Sequence, residues 1–563
     1  MNAFESKPWI SSYAAGVPET ITPPTETLVD MIDASVKRFG SAIALEFFGA
    51  TTSYRDLGEE IARAANGLRK HGVKAGDRVA LVLPNCQQHI VAFYAVLRLG
   101  AIVVEHNPLY TERELRHQFE DHGARVAIVW DKVYSTVTDF PSDLGISTVI
   151  AVDVTKRMPF TTRAALRLPI KKAKASRHAL TSGPLPHGTI TWESLLENRR
   201  LKRSYPRPGI HDTAVLQYTS GTTGSPKGAI LSHFNLRANS LQGQAWVQGL
   251  RPGQEVFYGV LPMFHAYGLT LCLTFAMSMG ARLVLFPKFD PALVLTAVKR
   301  TPPTFLPAVP PIYERLVRAA EKRNVSLSSI RFAISGAMNL PTATVEHWET
   351  ATGGLLVEGY GMTETSPVAA GNPMGPTRRP GTVGVPFPST EIRVIDPDNP
   401  TVDRDVNEEG ELLIRGPQVF SGYWNRPTET AEVLLPGGWL RTGDIVRVSA
   451  DGFITIVDRM KELIITGGFN VAPTEVEEAL LSNPDIEDAA VVGLPAAGGG
   501  ENVTAAVVLK PGAILDVDAL RDYCRSRLSA YKVPKQIIEV QDLPRSLIGK
   551  VLRRQVRDQL KSI

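Results

Sequence analysis

Residues 78–106, RVALVLPNCQQHIVAFYAVLRLGAIVVEH, decide the fold class. RVALVLP (78–84) is a short β-branched apolar run closed by a proline, the pattern of a strand buried on both faces. HIVAFYAVLRLG (89–100) is too long for a strand and ends on glycine, so a helix is expected there. AIVVEH (101–106) then starts a second strand. Strand, crossover helix and strand in so short a stretch form a unit of a parallel sheet covered by helices. The same alternation extends outward. Leu28, Ile32 and Val36 recur at helical spacing, IALEFF (43–48) predicts a strand, 54–71 an amphipathic helix and RVAIVW (125–130) a further strand. From 212 to 400 the pattern continues, with Gly, Thr and Pro crowding the loops where an α/β sheet presents ligands.

The tail differs. After DRMKELIITGGFNVAP (458–473), Pro473 and Thr474 open a helix in which Thr474 and Glu477 fit a capping box, with Val476, Ala479 and Leu480 on its apolar face. Strands at 488–493 and 503–509 and a helix at 517–529 complete a compact α+β unit of domain size. The expected division is therefore a large domain, 1–458, and a small one, 459–563.

Composition narrows the function classes. At 563 residues, 44% hydrophobic and 21% charged, the chain is an ordinary globular protein of more than one domain. A net charge of +4 and the lack of any nucleic-acid motif give no reason to expect a nucleic-acid partner. Cys86, Cys272 and Cys524 are far apart, which points to reduced thiols in a cytoplasmic setting rather than a metal or redox pair. The opening MNAFESKPWISSYAAGVPET lacks the basic start and apolar run of a secretory signal. Leu269 to Phe286, the greasiest region, is interrupted by Ser278, Gly280 and Arg282 and is expected in the core rather than across a bilayer. One stretch stands apart: Lys156, Arg157, Arg163, Arg167, Lys171, Lys172, Lys174 and Arg177 fall in 156–177 without an acid. A solvated surface excursion would have this composition; so would a patch for peripheral contact with the inner face of a membrane.

Five motifs carry the chemistry. YTSGTTGSPKG (218–228) alternates hydroxyls and glycines with one lysine, a pattern that offers backbone N–H groups, Ser220, Thr222, Thr223 and Lys227 to a polyphosphate. It is not a Walker A loop, because Pro226 stands where that pattern requires glycine. EGYGMTETSP (358–367) combines glycines able to lie against a flat purine, Tyr360 for stacking and Glu364 as a hard oxygen ligand for Mg²⁺. WLRTGD (439–444) places Asp444 at a glycine turn, where it can accept two ribose hydroxyls. The remaining two are the 458–473 segment and LPRSLIGKVLRR (543–554), whose Lys550 follows a glycine just before a helix. Singly, most of these have bland equivalents: a Gly-rich turn, an exposed turn aspartate, a solvated terminal lysine.

In this order and spacing they resemble the acyl-adenylate-forming superfamily along essentially the whole chain, and KPWISSY (7–13), the GTVGVPFPSTEIRVID run and AYKVPK resemble bacterial long-chain fatty-acid–CoA ligases. The resemblance implies a large α/β domain with mostly parallel sheets and a small mobile α+β lid. It implies an AMP-forming ligase that uses ATP, Mg²⁺ and coenzyme A to convert a carboxylic acid, expected to be a medium- or long-chain fatty acid, to its acyl-CoA through an acyl-AMP. Thr219, Ser220, Gly221, Thr222, Thr223, Gly224 and Lys227 would hold the phosphates. Gly336 and Ala337 of SGAMN, with Glu358, Gly359, Tyr360, Gly361 and Met362, would surround the adenine. Thr363 would meet the α-phosphate, Thr219 and Glu364 the Mg²⁺, and Asp444 and Arg459 the ribose. Lys550 would bridge the acid and the α-phosphate, and Lys461 would be the hinge that turns Gly467 and Gly468 toward a pantetheine channel. His265 of LPMFHAYG would stand where the acyl and thiol channels meet, though a satisfied core histidine would look the same. An apolar tunnel is expected beneath FLPAVPPIY (305–313).

The lid loop departs from the fatty-acid pattern, with TGGFNVAP in place of a single glycine and Ala472 in place of a tyrosine. An aryl-acid–CoA ligase and an acyl-AMP ligase that loads a carrier protein stay open, although the latter carry an insertion not seen after 458. A non-catalytic binding protein should have lost Lys550, Glu364 or Asp444, and all three are present. Oligomeric state is open.

Overall fold

Val79 pairs in parallel with Val103 on one side and Val126 on the other, so the strand Arg78–Val82 lies inside a parallel sheet. A computed structural model describes residues 3–219, 226–397, 399–459, 462–466, 469–496, 501–528, 530–546 and 549–561. Arg78–Val82 is the fourth strand of seven, in the order Ile190–Thr191, Thr148–Val152, Val126–Trp130, Arg78–Val82, Ile102–Glu105, Thr213–Tyr218, Gly228–Ser232. All neighbours run parallel except the last pair, which is an antiparallel hairpin. The predicted helix spans Gln87–Arg98, and every residue of it is buried. It touches strands of this sheet and of a second, larger one, which is why it is apolar on all sides rather than amphipathic.

The second sheet has nine strands. Its centre is six parallel strands in the order Leu355–Gly361, Phe332–Ser335, Phe305–Ala308, Val256–Gly259, Arg282–Leu285, Ile43–Phe47, with antiparallel strands at both edges. Residues 269–286 are core, as expected: a buried helical run over Leu269–Ser278 and then the strand Arg282–Leu285. A third, antiparallel sheet contains Glu391–Ile395, Glu409–Arg415, Leu434–Leu435, Trp439–Val448 and Ile454–Arg459.

Beyond this the chain builds a separate core. Ile464, Val476, Leu480, Val491, Val503 and Ile537 belong to a cluster made only of residues from 464 onward, whereas the large cluster around the parallel sheets ends at Ile454. Its strands are Ile486–Pro495, Glu501–Leu509 and Gln536–Glu539, its helices Pro473–Leu481, Val517–Arg525 and Arg553–Leu560. Pro473 does open its helix, but the expected capping box is absent. The N-cap is Ala472, the Thr474 amide donates to Asp458 Oδ2 (3.0 Å), and Glu477 accepts from the Val491 amide (2.7 Å) and pairs with Arg553. Tertiary partners outcompete a local cap because Glu477 lies between the helix and the sheet, where an unpaired carboxylate would be costly. All three cysteines are free and buried, and burial pushes the Cys86 thiol up to about 12.

Candidate functional site

Four adjacent parallel strands of the nine-stranded sheet, Val256–Gly259, Phe305–Ala308, Phe332–Ser335 and Leu355–Gly361, release their following loops at one edge, the carboxyl end. Those loops carry His265, Pro310 and Pro311, Gly336 and Ala337, and Thr363 with Glu364. Ala337 takes a left-handed backbone (φ +68°), a strained conformation for a non-glycine residue and one that recurs at ligand sites. Beside it, Glu358 pairs with Ser335, and its carboxyl is buried, which pushes it up to about 8 and favours the neutral acid at pH 7.

Past Glu358 the strand changes partner. Gly359 and Gly361 pair antiparallel with Gly371 and Val368, and this crossing is so close that a Cβ on Gly361 would lie 1.9 Å from the Pro367 carbonyl oxygen. The crossing displays Tyr360 toward the third sheet, where its hydroxyl donates to Asp444 Oδ2 (2.5 Å). Asp444 is 3% exposed and faces Arg459 across an antiparallel pair; the side chain of Arg459 is outside the described residues. The purine-wall and ribose candidates are thus in contact, although 84 residues separate them.

The phosphate-loop hairpin closes through the Thr219 amide, which donates to the Lys227 carbonyl (2.9 Å). Ser220, Gly221, Thr222, Thr223 and Gly224 lie outside the described residues, as do Lys461, Gly467 and Gly468. Residues 421–424 line up on the hairpin's outer strand: the Ile230 amide donates to the Gly422 carbonyl (2.9 Å) and the Trp424 amide to that of Gly228 (2.8 Å). This brings in Tyr423, which sequence reasoning missed. Its ring lies 5.2 Å from Lys227 Nζ and its hydroxyl donates to Glu364 Oε1 (2.6 Å). Lys227, Tyr423 and Glu364 therefore form one chain of contacts linking the first two motifs. No local signal marks Tyr423, because its partners lie 59 residues and more away. Gln217 and Tyr267 were missed for the same reason. Gln217 donates to the Phe264 carbonyl (2.6 Å), and the Tyr267 hydroxyl donates to that of Ile334 (2.8 Å), which ties the His265 loop to both large sheets. The His265 Nδ1 accepts from the Tyr267 amide (3.3 Å), and burial holds its imidazolium down at about 4, so the ring is neutral at pH 7.

Glu364 is buried, and among the described residues no three His, Cys, Asp or Glu side chains gather to cage a metal. A single buried carboxylate fits Mg²⁺, which keeps waters and takes its other ligands from substrate phosphates. The Lys550 loop arrives from the C-terminal core. A Cβ on Gly549 would lie 3.1 Å from Met338 Sδ and 3.9 Å from Pro311 Cγ, so this turn rests on the loops at the sheet edge. The turn is held by the Lys550 amide donating to Ser546 Oγ (3.1 Å) and by Arg545 Nη1 donating to the Gly549 carbonyl (2.7 Å).

Against known proteins, the pattern of the AMP-binding enzyme family matches residues 32–424, and that of the AMP-binding enzyme C-terminal domain matches 475–550. The chain belongs to the AMP-binding enzyme family. This AMP-binding enzyme is 37% identical over 553 residues to the long-chain-fatty-acid–CoA ligase of Bacillus subtilis (strain 168), covering 98% of each. It is 33% identical over 517 residues to a feruloyl-CoA synthase of Amycolatopsis sp., 92% of this chain and 95% of that one. Its structure matches ATP-bound MatB from Rhodopseudomonas palustris with a TM-score of 0.82 at 30% identity, covering 95% of this chain and 99% of that one. Apo MatB from the same organism matches with 0.71. The enzyme is an AMP-forming ligase.

At the start of the 305–313 stretch Phe305 stacks on Phe257 with ring centroids 4.5 Å apart. An apolar seam lies elsewhere, between the helix His233–Trp246, the run Leu269–Ser278 and the strand carrying Glu358. Gly243, Trp246, Phe275, Ile334 and Phe387 line it.

Proposed function

We propose that this ligase activates a medium- or long-chain fatty acid and transfers the acyl group to coenzyme A. The observation that carries the reading is the meeting, at one sheet edge, of the Glu358–Met362 wall, the Lys227–Tyr423–Glu364 chain and the turn that bears Lys550. A carboxylate and a triphosphate are both anionic, so the site's work is positioning and charge neutralisation. The acid's oxygen bonds to the α-phosphorus as the bond to pyrophosphate breaks, leaving acyl-AMP. The coenzyme A thiol then attacks the acyl carbon and AMP departs with the bonding electron pair. Lys550 is assigned to bridge the acid and the α-phosphate, Thr363 to meet that phosphate, and Lys227 with residues 219–224 to hold the β- and γ-phosphates. Thr219 and Glu364 would hold Mg²⁺, which neutralises phosphate charge. Gly336, Ala337 and Glu358–Met362 are assigned to the adenine, Asp444 and Arg459 to the ribose, and neutral His265 to the junction of the acyl and thiol paths.

We further propose a division at 458/459, supported by the separate hydrophobic cores on either side. Lys461 would be the hinge, and a rotation there would withdraw Lys550 and present 467–468 to the thiol. The long-chain ligase relative, matched over 98% of both chains, supports an aliphatic acid. The feruloyl-CoA synthase relative favours a second reading, an aryl acid.

The test is ATP- and Mg²⁺-dependent pyrophosphate release across acids from acetate to oleate, with 4-coumarate, each with and without coenzyme A. Release stimulated by long-chain acids, with acyl-CoA formed, is expected. Stimulation by 4-coumarate alone would replace the fatty acid with an aryl acid. Acyl-AMP that accumulates regardless of coenzyme A would replace the acceptor with a carrier protein.

A further inference from the structure

The segment 156–177 folds as two short helices, Phe160–Leu166 and Lys171–Leu180, joined by Arg167–Ile170. Its base is fixed. Arg157 makes a two-pronged contact with Glu60 (2.7 and 2.8 Å), Ala173 is buried, and Trp130 Nε1 donates to the Leu180 carbonyl (3.0 Å). Its outer surface combines two features that seldom occur together without a partner. Phe160, Ile170 and Leu168 are 76%, 54% and 51% exposed, whereas most large apolar side chains of this protein are buried. Around them Arg167, Lys171, Lys172, Lys174 and Arg177 are exposed, and none makes an ion pair with a described carboxylate. The sequence contains no acid at all between Asp153 and Glu193.

A solvated excursion explains the lysines but not three exposed apolar side chains at the turn and at the head of the first helix. Water penalises that exposure, and a surface that takes apolar groups beneath a layer of negative charge removes the penalty. A protein partner for five unpaired cations would need matching carboxylates as well as an apolar groove, whereas an anionic bilayer offers charge and apolar depth together. We propose that the hairpin 156–177 docks on an anionic bilayer surface. Phe160, Leu168 and Ile170 would enter the interface while the five exposed cations meet lipid phosphates. The proposal stands apart from the substrate reading, because vesicle binding is measured without acid, ATP or coenzyme A.

The experiment is co-sedimentation of the full chain with phosphatidylcholine vesicles, with and without phosphatidylglycerol. The native chain should sediment with the anionic vesicles only. Lys171→Ala, Lys172→Ala and Lys174→Ala together should lower partitioning by about tenfold or more. The matching Lys→Arg triple should retain it. Phe160→Ser with Ile170→Ser should abolish the fraction that survives high salt. All these positions are exposed, and an unchanged melting curve for each variant confirms folding. Binding by both loss variants equal to native would overturn the proposal, as would equal binding to neutral vesicles. Retention by duplex DNA with no vesicle binding would overturn it in favour of a nucleic-acid surface.

Discussion

The two walls of the site are built in opposite ways. The proposed purine wall at Glu358–Met362 is welded in place: a parallel strand that turns antiparallel, passes the Pro367 carbonyl with no room for a side chain, and hands Tyr360 to Asp444. The Lys550 turn belongs to another hydrophobic core and meets the sheet edge through Gly549 against the flexible end of Met338. The difference teaches where rigidity is needed. On the proposed roles, a nucleotide is held in one geometry through both half-reactions, whereas Lys550 serves the first and leaves for the second. Close-packed backbone cannot give without loss of structure; a glycine resting on a thioether can.

The comparison breaks most visibly at Lys550. Lys550→Ala should lower acid-dependent pyrophosphate release by ~10²–10³, while conversion of supplied acyl-AMP to acyl-CoA changes less than tenfold. Equal losses in both steps would mean that the turn serves as fixed wall. Gly361→Ala tests the welded side. Its Cβ meets a backbone oxygen, and we expect a loss of more than about 3 kcal/mol, read as a fall in the denaturant midpoint together with lost activity. Gly549→Ala is the paired probe. It costs a left-handed residue (φ +83°) and a contact that Met338 can relieve, so stability should fall by only about 1–2 kcal/mol, and a fall in the denaturant midpoint as large as that of Gly361→Ala would erase the distinction.

Between these lies Tyr423→Phe, which keeps the ring over Lys227 but removes the donor to Glu364. The Mg²⁺ concentration for half-maximal release should rise by about tenfold, and an unchanged Mg²⁺ dependence would detach Glu364 from the metal. The smallest effect concerns pH. Burial raises the folded-state pKa of Glu358 from near 4.5 to about 8, so the folded protein binds a proton that the unfolded chain releases. Its contribution is fully present below 4.5 and is lost as pH rises to about 8. Glu358→Gln should therefore raise the melting temperature relative to native more at pH 8 than at pH 5. His265 works with the opposite sign: its folded value is lowered to about 4, so stability present above the ordinary histidine range is lost as pH falls toward 4.

Much of this molecule is legible in the order of its residues. Period and punctuation marked Arg78–Val82, Gln87–Arg98 and Ile102–Glu105 to within two residues, because a strand buried on both faces and a helix between two sheets have no polar side to blur the signal. The motifs of the proposed site stand out for a related reason: a phosphate, a purine edge and a metal each demand particular residue types at short spacing. Three features were not. The Thr474–Glu477 pair has the letters of a capping box but spends its groups on Asp458, Val491 and Arg553, which no local window contains. Tyr423 joins the site only because residues 421–424 lie along the Gly228–Ser232 strand. The apolar seam behind Glu358 is the third, since Gly243, Trp246, Phe275 and Phe387 come together there only through packing. Sequence by itself determined which groups are available and the local period of the chain. Tertiary structure decided which of them meet, because the contacts that join Tyr360 to Asp444, Tyr423 to Glu364 and Gly549 to Met338 close over long separations that only the packing of whole sheets can set.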